Sequence, residues 1–216
     1  MQTIDQRLAG FWRITLRCQE CPALAPWRKF PPRARGNPGH GIMILGEAPG
    51  RVSLEHGRPF SNPRNLTVRN ALARALAPAV IEPEEILYFS DAVKCWPSSQ
   101  SGANRSPTAA ETGRCTISHL ARELEIIRPT VIFAFGVRAA SALLGHPVKI
   151  AELHGRALEH ANGYRVIPLM HPSSINIAGM RRVGMRTLAD YEAQLAELFH
   201  RELTRAGIGA RELRQG

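Results

Sequence analysis

The sequence predicts an α/β protein, a three-layer α/β/α sandwich around a four-stranded parallel sheet. Four short runs rich in Ile, Val, Phe and Leu are nearly continuous in apolar character, as in strands buried on both faces. They lie at residues 42–45, 86–93, 131–135 and 165–170. Helical patterns separate the runs, and alternating strands and helices form parallel sheets through right-handed crossovers. The 216 residues, 44% of them hydrophobic, are enough for one core of ordinary size.

Four helical patterns lie between and after these runs, at residues 66–77, 106–129, 136–145 and 185–203. The second begins with a Ser-Pro-Thr signal and stops before Pro129, and the third ends at a glycine. The fourth is amphipathic, with Glu and Arg on its outer face. We therefore treat residues 1–216 as a single domain and expect the tail to fray from about residue 205.

The loops that follow the strands are the informative ones, because parallel α/β sheets bind ligands beyond the carboxyl ends of their strands. The first loop, residues 46–60, reads GEAPGRVSLEHGRPF and holds three glycines, two prolines and two carboxylates. The last, residues 171–182, begins with His171 where the strand ends and closes with two arginines, Arg181 and Arg182. These two loops are the predicted functional site.

The charge of the chain predicts a polyanionic partner. It has 28 Lys and Arg residues against 18 Asp and Glu, a net charge of +10, and clustered cations attract phosphates over long range. Only three of the basic residues are lysines, so a coding bias toward arginine explains the choice of cation but not the excess. Ile175, Ile177 and Met180 stand beside arginines, which suits a wedge pushed into a base stack. The alternative is that the two isoleucines attach the loop to the core.

No segment approaches the roughly 18 consecutive apolar residues that span a membrane, and the start, MQTIDQRLAGFW, lacks the pattern of a secretory signal. We therefore expect a cytoplasmic, nucleoid-associated protein that acts as a monomer and has no membrane partner. In a reducing cytosol its cysteines are expected to be ligands or buried thiols rather than disulfides.

The four cysteines form a tight pair, Cys18 and Cys21 in CQECP, with two distant partners, Cys95 and Cys115. This pattern uses every cysteine and predicts a four-thiolate site that holds either zinc or an iron–sulfur cluster. The spacing does not choose between them, and a chance pair with two core cysteines is the alternative. Such a site would tie the N-terminal segment to the loop after the second strand, which is a structural role.

Five short motifs add to the cysteine pattern: GEAPG, GRPF, VKC, NRSPT and HPSS, in that order. Together they resemble the iron–sulfur uracil-DNA glycosylases, family 4 and its relatives, from Cys18 to the C-terminal helix. The resemblance implies a [4Fe-4S] cluster on the four cysteines rather than zinc. It also implies a DNA-repair enzyme that flips uracil out of uracil-containing DNA, hydrolyses its N-glycosidic bond and leaves abasic-site DNA.

The resemblance also implies roles for individual residues. Phe60 would be the platform on which the uracil ring stacks. His171 would stabilise the negative charge that develops on uracil O2, and Glu47 would position the attacking water or stabilise the cationic sugar. Neither motif loop contains a lysine that could form a Schiff base, so a monofunctional glycosylase is expected. The implied base contacts, several through backbone amides, are Gly46, Ala48, Gly50, Phe60 and Asp91; the implied DNA contacts are Arg58, Ser173, Ser174, Ile175, Asn176, Arg181 and Arg182.

One departure from the family concerns the base itself. Asp91 stands where the family usually has an asparagine that reads uracil N3–H and O4 together, so a broader glycosylase for hypoxanthine or xanthine is one alternative. A catalytically silent protein that binds abasic sites is a second, and a zinc-stabilised nucleotide-binding domain is a third. The basic loop with a histidine that one subgroup uses for covalent bonding is not expected, because residues 96–108 contain no histidine.

Overall fold

The computed structural model describes residues 2–24, 35–63, 65–76, 82–172 and 177–208. Helices and strands alternate along most of this part of the chain, as predicted. The elements, in chain order, are α1 (Ile4–Thr15), β1 (Ile42–Gly46), α2 (Arg51–His56), α3 (Thr67–Ala75), β2 (Tyr88–Asp91), α4 (Ala109–Cys115), α5 (Ala121–Ile127), β3 (Val131–Phe135), α6 (Val137–Leu144), α7 (Ile150–Leu153), β4 (Leu158–Glu159), β5 (Arg165–Leu169), α8 (Ile177–Arg182) and α9 (Leu188–Arg205).

The sheet has the order β2-β1-β3-β5-β4 in the described part of the chain. The four predicted strands are present, and all of them pair in parallel. The strand count was one short, because β4 adds a fifth strand that runs antiparallel to β5. Its two residues, Leu158 and Glu159, are not buried and lack the apolar run by which the other strands were found.

Alternate residues of each strand contact opposite layers, which makes the three-layer sandwich. In β1, Ile42 and Ile44 pack with the cluster that includes helices α3 and α9. Met43 and Leu45 pack with the cluster that includes α1, α5 and α6. All five residues of β1 are buried, as expected for a strand covered on both faces.

The helices agree with the predicted patterns at their centres and differ at their ends. The predicted helix 106–129 is α4 and α5 joined by one π-helical turn, Thr116–Leu120, and it begins at a capping box formed by Thr108 and Glu111. The helix α1 was not predicted, although Thr3 and Gln6 form a capping box before it. The helix α8 occupies part of the predicted last loop. No described helix is long and apolar enough to cross a membrane.

The C-terminal helix ends at Arg205, and Ile208, just beyond it, is buried in the core. The expected fraying of the tail falls mainly on residues 209–216, which lie outside the described residues.

Candidate functional site

The candidate site is at the carboxyl edge of the sheet, where Gly46 ends β1 and Asp91 ends β2. The parallel register puts these two residues side by side. A Cβ atom on Gly46 would stand 2.5 Å from Asp91 Oδ1 and 3.4 Å from Phe60 Cζ. Only glycine fits there. Because Gly46 has no side chain, the Asp91 carboxyl group and the Phe60 ring can approach each other.

Phe60 is held in a strained backbone conformation, with a φ of 53° that non-glycine residues rarely adopt. The guanidinium of Arg69 donates to the carbonyl of Pro59, at 3.0 and 2.7 Å, and so fixes the turn before it. The Phe60 ring packs against Phe135, with centroids 5.5 Å apart, and remains half-buried. Phe60 as a residue is therefore only partly covered at this edge of the sheet.

Glu47 is fixed by the start of helix α6. The Arg138 backbone N–H, in the first turn of that helix, donates to Glu47 Oε1 at 3.0 Å. A helix N-terminus stabilises a nearby carboxylate because its unsatisfied N–H groups carry partial positive charge. Gly136 has a φ of 98°, and a Cβ there would overlap the Glu47 carboxyl group. Glu47 therefore has one oxygen bound by the helix.

His171 directly follows Met170, whose backbone N–H and carbonyl are both hydrogen-bonded to side chains. His154 Nδ1 accepts from the Met170 N–H at 3.1 Å, and the Tyr191 hydroxyl donates to the Met170 carbonyl. On the other side of His171, the side-chain amide of Asn65 donates to the Pro172 carbonyl. These three side chains come from separate parts of the chain and position His171.

The rings of His171 and Phe60 are nearly parallel, with centroids 6.4 Å apart and an interplanar angle of 29°. Burial lowers the pKa of His171, and the negative charge of Glu47 acts in the opposite direction. The imidazole is therefore neutral near neutral pH and offers one N–H donor. His171, Glu47, Phe60 and Asp91 thus lie near one another at this edge of the sheet, and their roles in catalysis and base binding stay predictions.

A buried charged network, which sequence reasoning missed, lies behind Asp91. Arg35 Nη1 is 3.6 Å from Asp91 Oδ2, and both side chains are almost fully buried. Lys94 Nζ donates to Glu123 Oε2 at 2.5 Å and to Ser90 Oγ at 2.8 Å. The one available signal was that Lys94 is among only three lysines and stands inside the VKC motif.

The four cysteines line one pocket that is partly open to solvent. Cys115 is buried, and burial raises the pKa of its thiol to about 12. The Lys94 backbone N–H donates to Cys115 Sγ at 3.3 Å, as it would to a metal-bound thiolate. Among the described residues, no three His, Cys, Asp or Glu side chains form a group that could hold a single metal ion. The four thiols thus line one common pocket.

Two further contacts join the cysteine pocket to the first loop. Ala48 packs against the cluster of Leu24, Val93 and Cys115. Asn104, in the NRSPT motif, accepts from the Arg51 backbone N–H at 3.0 Å and from the Trp96 indole at 2.8 Å. A Cβ atom placed on Gly50, the residue before helix α2, would lie 3.4 Å from the side-chain amide nitrogen of Asn104. Asn104 is a positioning residue that sequence reasoning did not single out.

The predicted DNA-contacting residues have different surroundings in the structure. Arg58 forms ion pairs with Glu82 and Glu84, so part of its charge is used within the protein. Arg181 and Arg182 are exposed on helix α8, beyond the carboxyl end of β5. Met180 is buried in the core, so the wedge expected in this loop does not include it. Four predicted contacts lie outside the described residues: Ser173, Ser174, Ile175 and Asn176.

Comparison with known proteins gives a family match over residues 34–198, to the model described as the Uracil DNA glycosylase superfamily. A type-4 uracil-DNA glycosylase of Thermotoga maritima is 34% identical over 158 residues, which are 73% of this chain and 77% of the relative. The protein of the same name from Pyrobaculum aerophilum is 33% identical over 142 residues, 66% of this chain and 63% of the relative. That from Archaeoglobus fulgidus is 29% identical over 170 residues, 76% and 80% of the two chains.

Proposed function

The chain belongs to the uracil DNA glycosylase superfamily, and on this premise we propose that it removes uracil from DNA, as a monofunctional repair glycosylase that leaves an abasic site. The observation that supports this most is the meeting of Phe60, Asp91, Glu47 and His171 around Gly46 at the carboxyl edge of the sheet. We also expect it to act as a monomer, because one chain contains all four residues. We expect it to act at the nucleoid in the cytoplasm, because its proposed substrate is DNA.

A base inside a duplex is out of reach, so the target nucleotide has to be flipped into the site. The half-buried ring of Phe60 supplies the surface on which the uracil ring stacks. The Asp91 carboxylate accepts the ring N–H of the base, and the backbone of residues 46–50 approaches the base and the neighbouring phosphate. The glycines in that loop allow a close backbone approach.

Hydrolysis breaks the bond between the sugar C1′ and the base, and the base leaves with the bonding electron pair. Negative charge develops on uracil O2, and the neutral His171 imidazole donates its N–H to that oxygen. Positive charge develops on the sugar, where the Glu47 carboxylate stabilises it and orients a water molecule. The water oxygen bonds to C1′, and one of its protons is transferred to the departing base. Residues 46–60 and 171–182 contain no lysine, so neither loop offers an amine for a Schiff base.

We further propose that Cys18, Cys21, Cys95 and Cys115 hold a [4Fe-4S] cluster. The donor set is four thiols around one pocket, which is the thiolate set of iron–sulfur clusters as well as of zinc, and the resemblance to the iron–sulfur uracil-DNA glycosylases favours the cluster. When bound, the cluster supplies a structural link between the segment after α1 and the loop after β2. The cluster takes no part in the proposed hydrolysis, which uses only residues at the carboxyl edge of the sheet.

Replacing Cys115 with serine is expected to abolish the visible absorbance of the protein and to lower its Tm, because metal binding contributes folding free energy. Each kcal/mol lost lowers Tm by about 2–4 °C in a chain of this size. Iron and sulfide analysis with thermal unfolding measures both, and Thr112→Ser on the same helix is the control. A colourless wild-type protein that contains zinc would contradict the cluster.

Replacing Phe60 with leucine is expected to lower kcat/KM for uracil excision by about 10–100-fold, since base–aromatic stacking contributes roughly 1–3 kcal/mol. Phe60→Tyr keeps the ring and should keep most of the activity. Affinity for abasic-site DNA should hardly change in either variant, because the product has no base. Equal excision by the leucine variant and the wild type would refute the stacking role.

Replacing Arg181 with glutamine is expected to weaken DNA binding on every sequence and to reduce the slope of log K against log salt by about 0.9 for one lost phosphate contact. Arg128→Gln is the matched control, because Arg128 is also exposed but precedes β3 at the opposite edge of the sheet. Binding measured by fluorescence anisotropy at several salt concentrations compares the two. The same slope in both variants would remove Arg181 from the interface.

The function itself is tested with duplex oligonucleotides that contain one uracil, hypoxanthine or xanthine, followed by alkaline breakage at abasic sites. Uracil excision is the expected result. Excision of the purine lesions would establish the broader substrate range that Asp91 keeps open. Tight binding to abasic-site DNA without any excision would replace the proposed function by that of a silent binding protein.

A further inference from the structure

The two oxygens of the Asp91 carboxyl group have different surroundings. Oδ2 faces Arg35, at 3.6 Å from Nη1. Oδ1 faces the site. A Cβ atom placed on Gly46 would have Asp91 Oδ1 as its nearest neighbour and Phe60 Cζ as its second. Arg35 itself is fully buried, with its guanidinium 4.2 Å from the centre of the Trp12 ring. The Asp91 carboxyl group is therefore held on one side and presented to the site on the other.

The charges around Asp91 favour its ionised form. Lys94 Nζ donates to the Asp91 carbonyl at 2.5 Å, and Glu123 accepts from the same ammonium group. Among the described residues, this buried network has two cations, Arg35 and Lys94, and two carboxylates. A proton on Asp91 would leave a net positive charge in the interior, which is costly. Burial raises the pKa of Asp91, Arg35 and Lys94 oppose that rise, and Glu123 adds to it.

We propose that Arg35 is a specificity-determining residue, an inference that rests on the proposed function. By pairing with Oδ2 of Asp91, Arg35 leaves Oδ1 as a single group at the base that can only accept hydrogen bonds. Such a group accepts the ring N–H of uracil at N3. It repels the lone pair that cytosine has at the same ring position. The Arg35–Asp91 pair thus selects the deaminated base against the normal one.

Without Arg35, the Asp91 carboxyl group could use both of its oxygens. A buried carboxyl group that has lost its cation takes up a proton, and it then has one donor and one acceptor. That combination fits cytosine as well as uracil, because it accepts from the exocyclic amine and donates to N3. Loss of Arg35 should therefore reduce selectivity rather than simply reduce activity.

The test compares four proteins: wild type, Arg35→Met, Asp91→Asn and the double variant. Each is given two duplexes that differ only in having one uracil or one cytosine opposite thymine, so that neither base is in a Watson–Crick pair. Single-turnover excision gives the ratio of the uracil rate to the cytosine rate. We expect Arg35→Met to lower this ratio by about 10-fold or more, the size of one base-reading contact. In the Asp91→Asn background the same substitution should leave the ratio unchanged.

Excision of uracil by the wild-type protein tests the proposed function separately. If the wild type removes uracil and Arg35→Met keeps its ratio, the role of Arg35 is wrong and the proposed function stands. A drop in the ratio that is equally large in both backgrounds would also refute it, because the effect would not pass through Asp91. Should Arg35→Met fail to fold, Arg35→Gln removes the charge, keeps hydrogen-bond donors and gives the same comparison.

Discussion

Replacing His171 with alanine is expected to lower the single-turnover rate of uracil excision by about 10²–10³-fold, the usual cost of losing one donor to a developing oxyanion. Binding to uracil-containing DNA should change little, because the imidazole acts on a charge that appears only in the transition state. His40→Ala is the matched control, since His40 is exposed and precedes β1 at the opposite edge of the sheet. Undiminished excision by His171→Ala would remove this residue from the mechanism.

The same substitution has a second expected effect, on stability at acid pH. Burial lowers the pKa of His171 below its ordinary value of 6.5, so the unfolded chain takes up this proton at a higher pH than the folded protein. The wild type should therefore lose stability as the pH falls from about 6.5 through the folded pKa. His171→Ala should lose less stability over that range. Denaturant unfolding at a series of pH values measures the difference.

The fold was largely predictable because the strands of a doubly covered sheet are marked by local composition. All residues of Val131–Phe135 are buried and apolar, and the predicted bounds of this strand were correct. The strand β4 could not be found in this way, because pairing with β5, not composition, makes it a strand. The helix α8 was missed for a similar reason: six residues after a proline and two serines give little periodicity.

The candidate site was predictable where its chemistry is local and not where it depends on distant partners. Glu47 and His171 stand in short motifs next to strand ends, and Phe60 ends the loop that follows β1, so a parallel sheet brings these residues to the same edge. The partners that hold them come from elsewhere in the chain, as Arg35 does for Asp91 and Arg138 does for Glu47. Contacts between residues so far apart in sequence are created by the fold and have no local signal.

Glu47 has two roles that a single substitution to alanine would confuse. Its Oε1 accepts from the Arg138 N–H at the start of α6, which is a structural contact, and in the proposed mechanism its charge acts on the sugar. Glu47→Gln keeps an oxygen acceptor at that position and removes only the charge. We expect this variant to keep a Tm close to that of the wild type and to lose about 10²-fold or more in the rate of uracil excision.

Glu47→Ala should lose the same activity and, in addition, about 0.5–2 kcal/mol of stability, the usual cost of removing a side chain that caps a helix. Glu55→Gln in the same loop is the control, because the Glu55 carboxylate is exposed and pairs with Arg51 on the surface of α2. Single-turnover excision and thermal unfolding on the three variants separate the roles. If Glu47→Gln excises uracil at the wild-type rate, Glu47 is a helix cap alone, and the stabilisation of the cationic sugar has to come from another group at this edge of the sheet.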